Sequence, residues 1–87
     1  MSIPTHAEVQ ALFDNSTLPV ACQDLDPIGG QMVCVLITKL PDDYYTYHAI
    51  LGGTEVGENV MASDQGDFMD SSECATAVIA DLVAATS

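Results

Sequence analysis

Six carboxylates dominate the stretch Gly53–Glu73, GTEVGENVMASDQGDFMDSSE: Glu55, Glu58, Asp64, Asp67, Asp70 and Glu73. They fall at steps of three or multiples of three, with no Lys, Arg or His among them. Evenly stepped carboxylates along one path imitate the charge pattern of a phosphate backbone. A protein evolved to grip nucleic acid would receive them through its Lys and Arg side chains, in a steered and salt-sensitive association. Asp42 and Asp43 form a second, smaller acidic patch.

Other chemistry fits the same residue types less well. Asp24-Leu25-Asp26-Pro27-Ile28-Gly29 opens like a calcium loop, but Ile28 and Val35 occupy positions where that loop needs oxygen ligands. Cys22, Cys34 and Cys74 contain no close pair of the kind that announces structural zinc. Free core thiols are the expectation, and neither a metal site nor a cofactor is expected. Neither His6 nor His48 lies in a recognisable nucleophile motif, and no Gly-rich phosphate loop precedes a helix. The reading is therefore of a protein that is not an enzyme, with His48 a strand residue, half-buried or at a contact face.

Charge balance sharpens this. Thirteen acids face one base, Lys39, for a formal net charge of −12. Solubility needs a net charge of only ~2–8 in magnitude for a small domain, and unpaired like charges destabilise a compact state. The surplus suits a basic partner surface. Direct binding to nucleic acid, or to an anionic membrane surface, is what the charge opposes most. A salt-rich cytoplasm is a further setting in which such a surface would serve.

Composition supports a folded chain, because 48% of the residues are hydrophobic and disordered acidic chains are not. Residues 1–87 are read as a single domain. Three cysteines without CxxC spacing suggest reduced thiols in a cytoplasm. MSIPTHAEVQ has no basic or apolar leader region, so no signal peptide is expected.

The elements that must position the acids follow from local pattern. Thr5 and Glu8 form a capping box for a helix carrying Val9, Leu12 and Phe13 on one stripe. Leu18–Leu25, Gln31–Leu40 and Tyr44–Leu51 read as strands, with Thr54–Ser63 a weaker fourth in which Gly57 marks a bulge or turn. Asp70 and Glu73 open a last helix whose apolar face holds Cys74, Ala75, Val78, Ile79, Leu82 and Val83. The fold is α+β: an N-terminal helix, a three- to four-stranded antiparallel meander and a C-terminal helix packed on the sheet. Turns centred on Ile28 and Asp42 pair Cys22 with Cys34 and Leu36 with His48. One face then holds Ala21, Leu25, Val33, Val35, Ile37, Tyr45, Tyr47, Ala49 and Leu51, and is expected to receive both helices. The other, with Cys22, Met32, Cys34, Leu36, His48 and Ile50, is expected to stay partly open as a contact surface.

This profile resembles phage-encoded DNA-mimic inhibitors, small acidic α+β proteins of the anti-CRISPR and anti-restriction kind. It also resembles the uracil-DNA glycosylase inhibitor family, through Glu58-Asn59-Val60-Met61 followed by Ser63-Asp64 and preceded by His48. That segment covers about a fifth of the chain, and this chain turns helical at Asp70 where that family continues as sheet. The resemblance implies a strategy, with Glu58–Asp64 as its site, and names no target. The expectation is a stoichiometric inhibitor in the host cytoplasm that blocks the basic DNA- or RNA-binding surface of a host defence complex. Glu55, Glu58, Asp64, Asp67, Asp70, Glu73, Asp42 and Asp43 would meet that surface. Two alternatives stay open: an acidic adaptor or homodimerisation module working through the apolar sheet face, and a domain adapted to high salt.

Overall fold

The computed structural model describes residues 3–16, 20–60 and 69–86. The order is α1 (His6–Asp14), β1 (Val20–Ile28), β2 (Gln31–Lys39), β3 (Tyr45–Leu51), β4 (Thr54–Asn59) and α2 (Ser71–Thr86). The strands form one antiparallel sheet in the order β1-β2-β3-β4, a simple meander with β1 and β4 at its edges. The architecture is thus the expected α+β meander, with four strands.

Both helices begin at side-chain caps, and at α2 the cap is a full capping box. The Glu8 N–H donates to Thr5 Oγ1 at 3.2 Å. At α2 the Glu73 N–H donates to Asp70 Oδ1 at 2.8 Å, and the Asp70 N–H reaches back to Glu73 Oε1 at 3.4 Å. Each bond satisfies one of the amide donors that a helix start leaves without a partner. No helix among the described residues is long and apolar enough to cross a membrane.

Two hairpins turn on glycine pairs. Gly29-Gly30 and Gly52-Gly53 all take positive φ, the conformation a tight two-residue hairpin needs and a side chain resists. The first turn therefore sits one residue later than a turn centred on Ile28. Cys22 pairs with Leu36, and Asp24 with Cys34, while an irregularity between Leu25 and Ile28 absorbs the extra length. The expected Cys22–Cys34 pairing is thus displaced by two residues, and a shift of two keeps every side chain on its face. The second pairing, Leu36 with His48, is as expected. It is set by a 3-10 turn at Pro41–Asp43, where Asp42 and Asp43 themselves take positive φ.

The helices share one face of the sheet, as expected. Val9 and Phe13 of α1, and Cys74, Ala75, Val78 and Leu82 of α2, form one core with Val33, Val35, Ile37, Tyr45, Tyr47, Ala49 and Leu51. Phe13 packs edge-on to Tyr45 and Tyr47, with ring centroids 5.5 and 6.3 Å apart. Each fully buried large apolar side chain contributes ~1.5–3 kcal/mol, the term that offsets the self-repulsion of the acidic surface. Val83 of α2 is the exception on its expected stripe and is exposed.

Candidate functional site

The sheet face away from the helices is open, and its side chains follow from register. Asp24, Cys34, Ile50 and Glu55 stand in one cross-strand row, and Cys22, Leu36, His48 and Glu58 in the next. The middle is apolar or uncharged and the β4 edge is acidic. Met32 and Val20, 68% and 55% exposed, extend the apolar part. The chain's one base, Lys39, pairs in register with Tyr45 on the covered side, so the open face carries no Lys or Arg.

A bulge puts Glu55 and Glu58 together. On a regular strand residues three apart point to opposite sides. Here Ile50 pairs with Glu55 and Ala49 with Gly57, so Val56 is the extra residue and the alternation slips by one. Val56 and Gly57 both turn toward the helices, and Val56 packs against the core. Gly57 is required by space: a Cβ there would lie 2.0 Å from the Asp81 Oδ2 atom of α2. That carboxylate is held in place as acceptor of the Tyr47 hydroxyl at 2.7 Å. The chain from Tyr47 to Asp81 to Gly57 thus fixes the bulge, and the bulge fixes the two glutamates.

His48 lies between them. Its Nδ1 contacts Glu55 Oε1 and stands 3.4 Å from Glu58 Oε2. All three side chains are partly exposed, at 35%, 47% and 50%. A protonated imidazole would neutralise part of this charge, and a neutral one leaves both carboxylates to an incoming cation.

The other acids named by the sequence are dispersed. Asp70 and Glu73 cap α2, on the helix side of the sheet. Asp42 and Asp43 occupy the β2–β3 turn, where Asp43 pairs with Lys39 at 3.7 Å. That exposed pair contributes at most ~1 kcal/mol. Asp64 and Asp67 lie outside the described residues. Of the eight expected contact residues, then, Glu55 and Glu58 share the open face. His48 and Asp24 join them there; the Leu36–His48 pairing places His48 on this face, Asp24 follows two positions after Cys22, and the corrected first hairpin sets Asp24 opposite Cys34.

Comparison with protein-family models, curated proteins and solved structures returns no match to this chain.

Two groups on the open face have metal-ligating side chains in convergence: His48, Glu55 and Glu58, and Cys22, Asp24 and Cys34. Within each, the donor atoms lie within 4.8 Å of one another. The cysteines differ in setting. Cys22 is exposed, Cys34 half-buried and Cys74 fully buried, so the expectation of core thiols holds for Cys74 and fails for Cys22. Burial pushes the Cys74 thiol up to about 12, aided by Asp70 and Glu73. Burial does the same to Cys34, up to about 12, with Cys22 and Asp24 adding to it. Burial and the Asp81 carboxylate keep the Tyr47 hydroxyl protonated well above its usual range.

Proposed function

We propose that this protein is a stoichiometric inhibitor that docks its open sheet face on the basic nucleic-acid-binding surface of another protein, with carboxylates in the place of phosphates. The observation that carries this reading is the composition of one face: Glu55 and Glu58 beside an exposed apolar strip, without a Lys or Arg. Carboxylates with no Lys or Arg beside them attract guanidinium and ammonium groups over a distance. Charge alone would accept any basic protein. The strip of Met32, Leu36, Ile50 and Cys34 supplies the shape-dependent part of recognition. The bulge supports the reading further, because it brings to this face two charges that a regular strand would separate.

The docking contact in this proposal rests on Glu55 and Glu58, since Asp70 and Glu73 cap α2 on the helix side and Asp43 at the β2–β3 turn is paired with Lys39. The target class, a host defence complex, and the cytoplasmic setting rest on the resemblance to phage-encoded DNA mimics and on the sparse thiols.

The test is competition. A DNA-binding protein captured on the immobilised chain from nuclease-treated bacterial lysate, then eluted and loaded with DNA, should lose that DNA when the free chain is added in equal amount. The capture should weaken steeply as salt rises, and E55Q/E58Q should abolish it. Displacement that survives E55Q/E58Q, or a captured partner that keeps its DNA, overturns the proposal.

A second reading has its own observation. The exposure of Met32 and Val20 suits an adaptor or dimerisation face in which acids only keep the protein soluble. Self-association in sedimentation that is insensitive to salt, and lost in M32K, would favour it.

A further inference from the structure

Cys22, Asp24 and Cys34 form a ligating group on the open face, and the inhibitor reading uses of it only the apolar surface of Cys34, none of its ligating chemistry. Cys22 and Asp24 are two residues apart on β1, and Cys34 stands directly opposite Asp24 on β2. Side chains in those relations share a face and lean on a rigid pleat. Their two sulfurs and a carboxylate oxygen converge within 4.8 Å. All three cysteines are free of disulfides.

The geometry points to a zinc-binding site formed by Cys22, Cys34 and Asp24, with a fourth position open to water. Zn–S bonds of ~2.3 Å and Zn–O bonds of ~2.0–2.2 Å in a tetrahedron set neighbouring donors roughly 3.5–3.8 Å apart. Two thiolates with one carboxylate select a borderline or soft divalent ion and reject calcium and magnesium, which take oxygen ligands. The group at His48 offers one nitrogen and two carboxylates, with the imidazole already held against Glu55. It is the harder and less selective donor set. An open fourth position distinguishes the site from a closed structural zinc, and the hydrophobic core lies on the opposite face of the sheet. This inference uses none of the glutamates on which the inhibitor reading depends, so either can fail alone.

Cobalt titration decides it. The full-length chain would be stripped with a chelator, kept reduced with a phosphine and titrated with Co2+, then with Zn2+. The expected result is a near-ultraviolet thiolate charge-transfer band with visible tetrahedral bands, saturating at a single equivalent and bleached by Zn2+. C22S and C34S should each lose the charge-transfer band. D24N should keep it, with affinity weakened by at least the roughly 10–100-fold that loss of an outer-shell partner costs. H48A and E58Q should leave it unchanged. Visible bands without charge transfer, a signal lost in H48A or E58Q, or no cobalt signal at all overturns the assignment. Cys22 is exposed on an edge strand, so C22S retains the fold by circular dichroism and decides the matter even if C34S does not.

Discussion

The two faces of the sheet are made from alternate residues of the same strands, and they solve opposite problems. On the covered face, Val33, Val35, Ile37, Tyr45, Tyr47, Ala49 and Leu51 are sealed by α1 and α2. On the open face, Cys34, Leu36, His48 and Ile50 interleave with them along the strands and remain half-exposed. The difference teaches where stability and recognition reside. Removing atoms from the first face should cost folding free energy. Removing charges from the second should cost binding and leave folding intact, or improve it, because like charges repel.

The largest expected effect tests the covered face. Phe13→Ala removes the ring that bridges α1 to Tyr45 and Tyr47 and should cost ~3–5 kcal/mol, a large share of the ~5–15 kcal/mol total typical of a small domain. Met32→Ala on the open face should stay within ~0.5 kcal/mol. Urea melts of both variants make the comparison, and a costly Met32→Ala would break it.

Alkaline titration comes next. The folded state holds the Cys74 thiol protonated up to about pH 12, whereas the unfolded chain releases that proton near 9.0. Between those values the unfolded state binds fewer protons, so stability is complete below about pH 9 and falls as pH rises toward 12. The slope from this one group is at most ~1.4 kcal/mol per pH unit. Cys74→Ala should flatten it, as measured by melting temperature against pH, and Cys34→Ala should flatten it less because water reaches the open face.

Gly57→Ala tests the link between the faces. Its Cβ would fall 2.0 Å from Asp81 Oδ2, so the strand or the helix must move, at ~1–3 kcal/mol. The Gly57→Ala/Asp81→Ala pair should recover part of that loss in a double-mutant cycle. Asp70→Ala removes the α2 cap and should cost ~1 kcal/mol, read as a lower thermal midpoint. Smallest on stability is E55Q/E58Q, expected within ~0.5 kcal/mol of the parent or above it, against a complete loss of partner capture.

Much of this division is legible from alternation alone. β2 and β3 are rich in β-branched residues, and the spacing around Pro41–Asp43 sets Leu36 against His48 correctly. The first hairpin is less legible, because Asp26-Pro27-Ile28-Gly29-Gly30 offers several turn centres. Only the positive φ at Gly29 and Gly30 resolves the choice. The caps at Thr5 and Asp70 are readable because they are local and complete within four residues, although only Asp70 and Glu73 close the reciprocal box. The shared face of Glu55 and Glu58 is not readable from spacing, since a step of three implies opposite sides. Gly57 is the signal of the bulge, but the reason it must be glycine sits on α2, twenty-four positions along the chain, in Asp81. Tertiary contacts of that kind leave no periodic trace.

The bulge at Val56 also makes β4 a phase-shifted segment. Deleting Val56 would restore regular alternation and still keep both glutamates on the open face, because they would then stand two positions apart. A single-residue deletion beyond Asn59 would leave both glutamates where they are. In this stretch the count of residues carries the information as much as their identity does, and its acidic pair is most vulnerable to a change that flattens the bulge while keeping every residue, since a regular strand sets positions three apart on opposite sides.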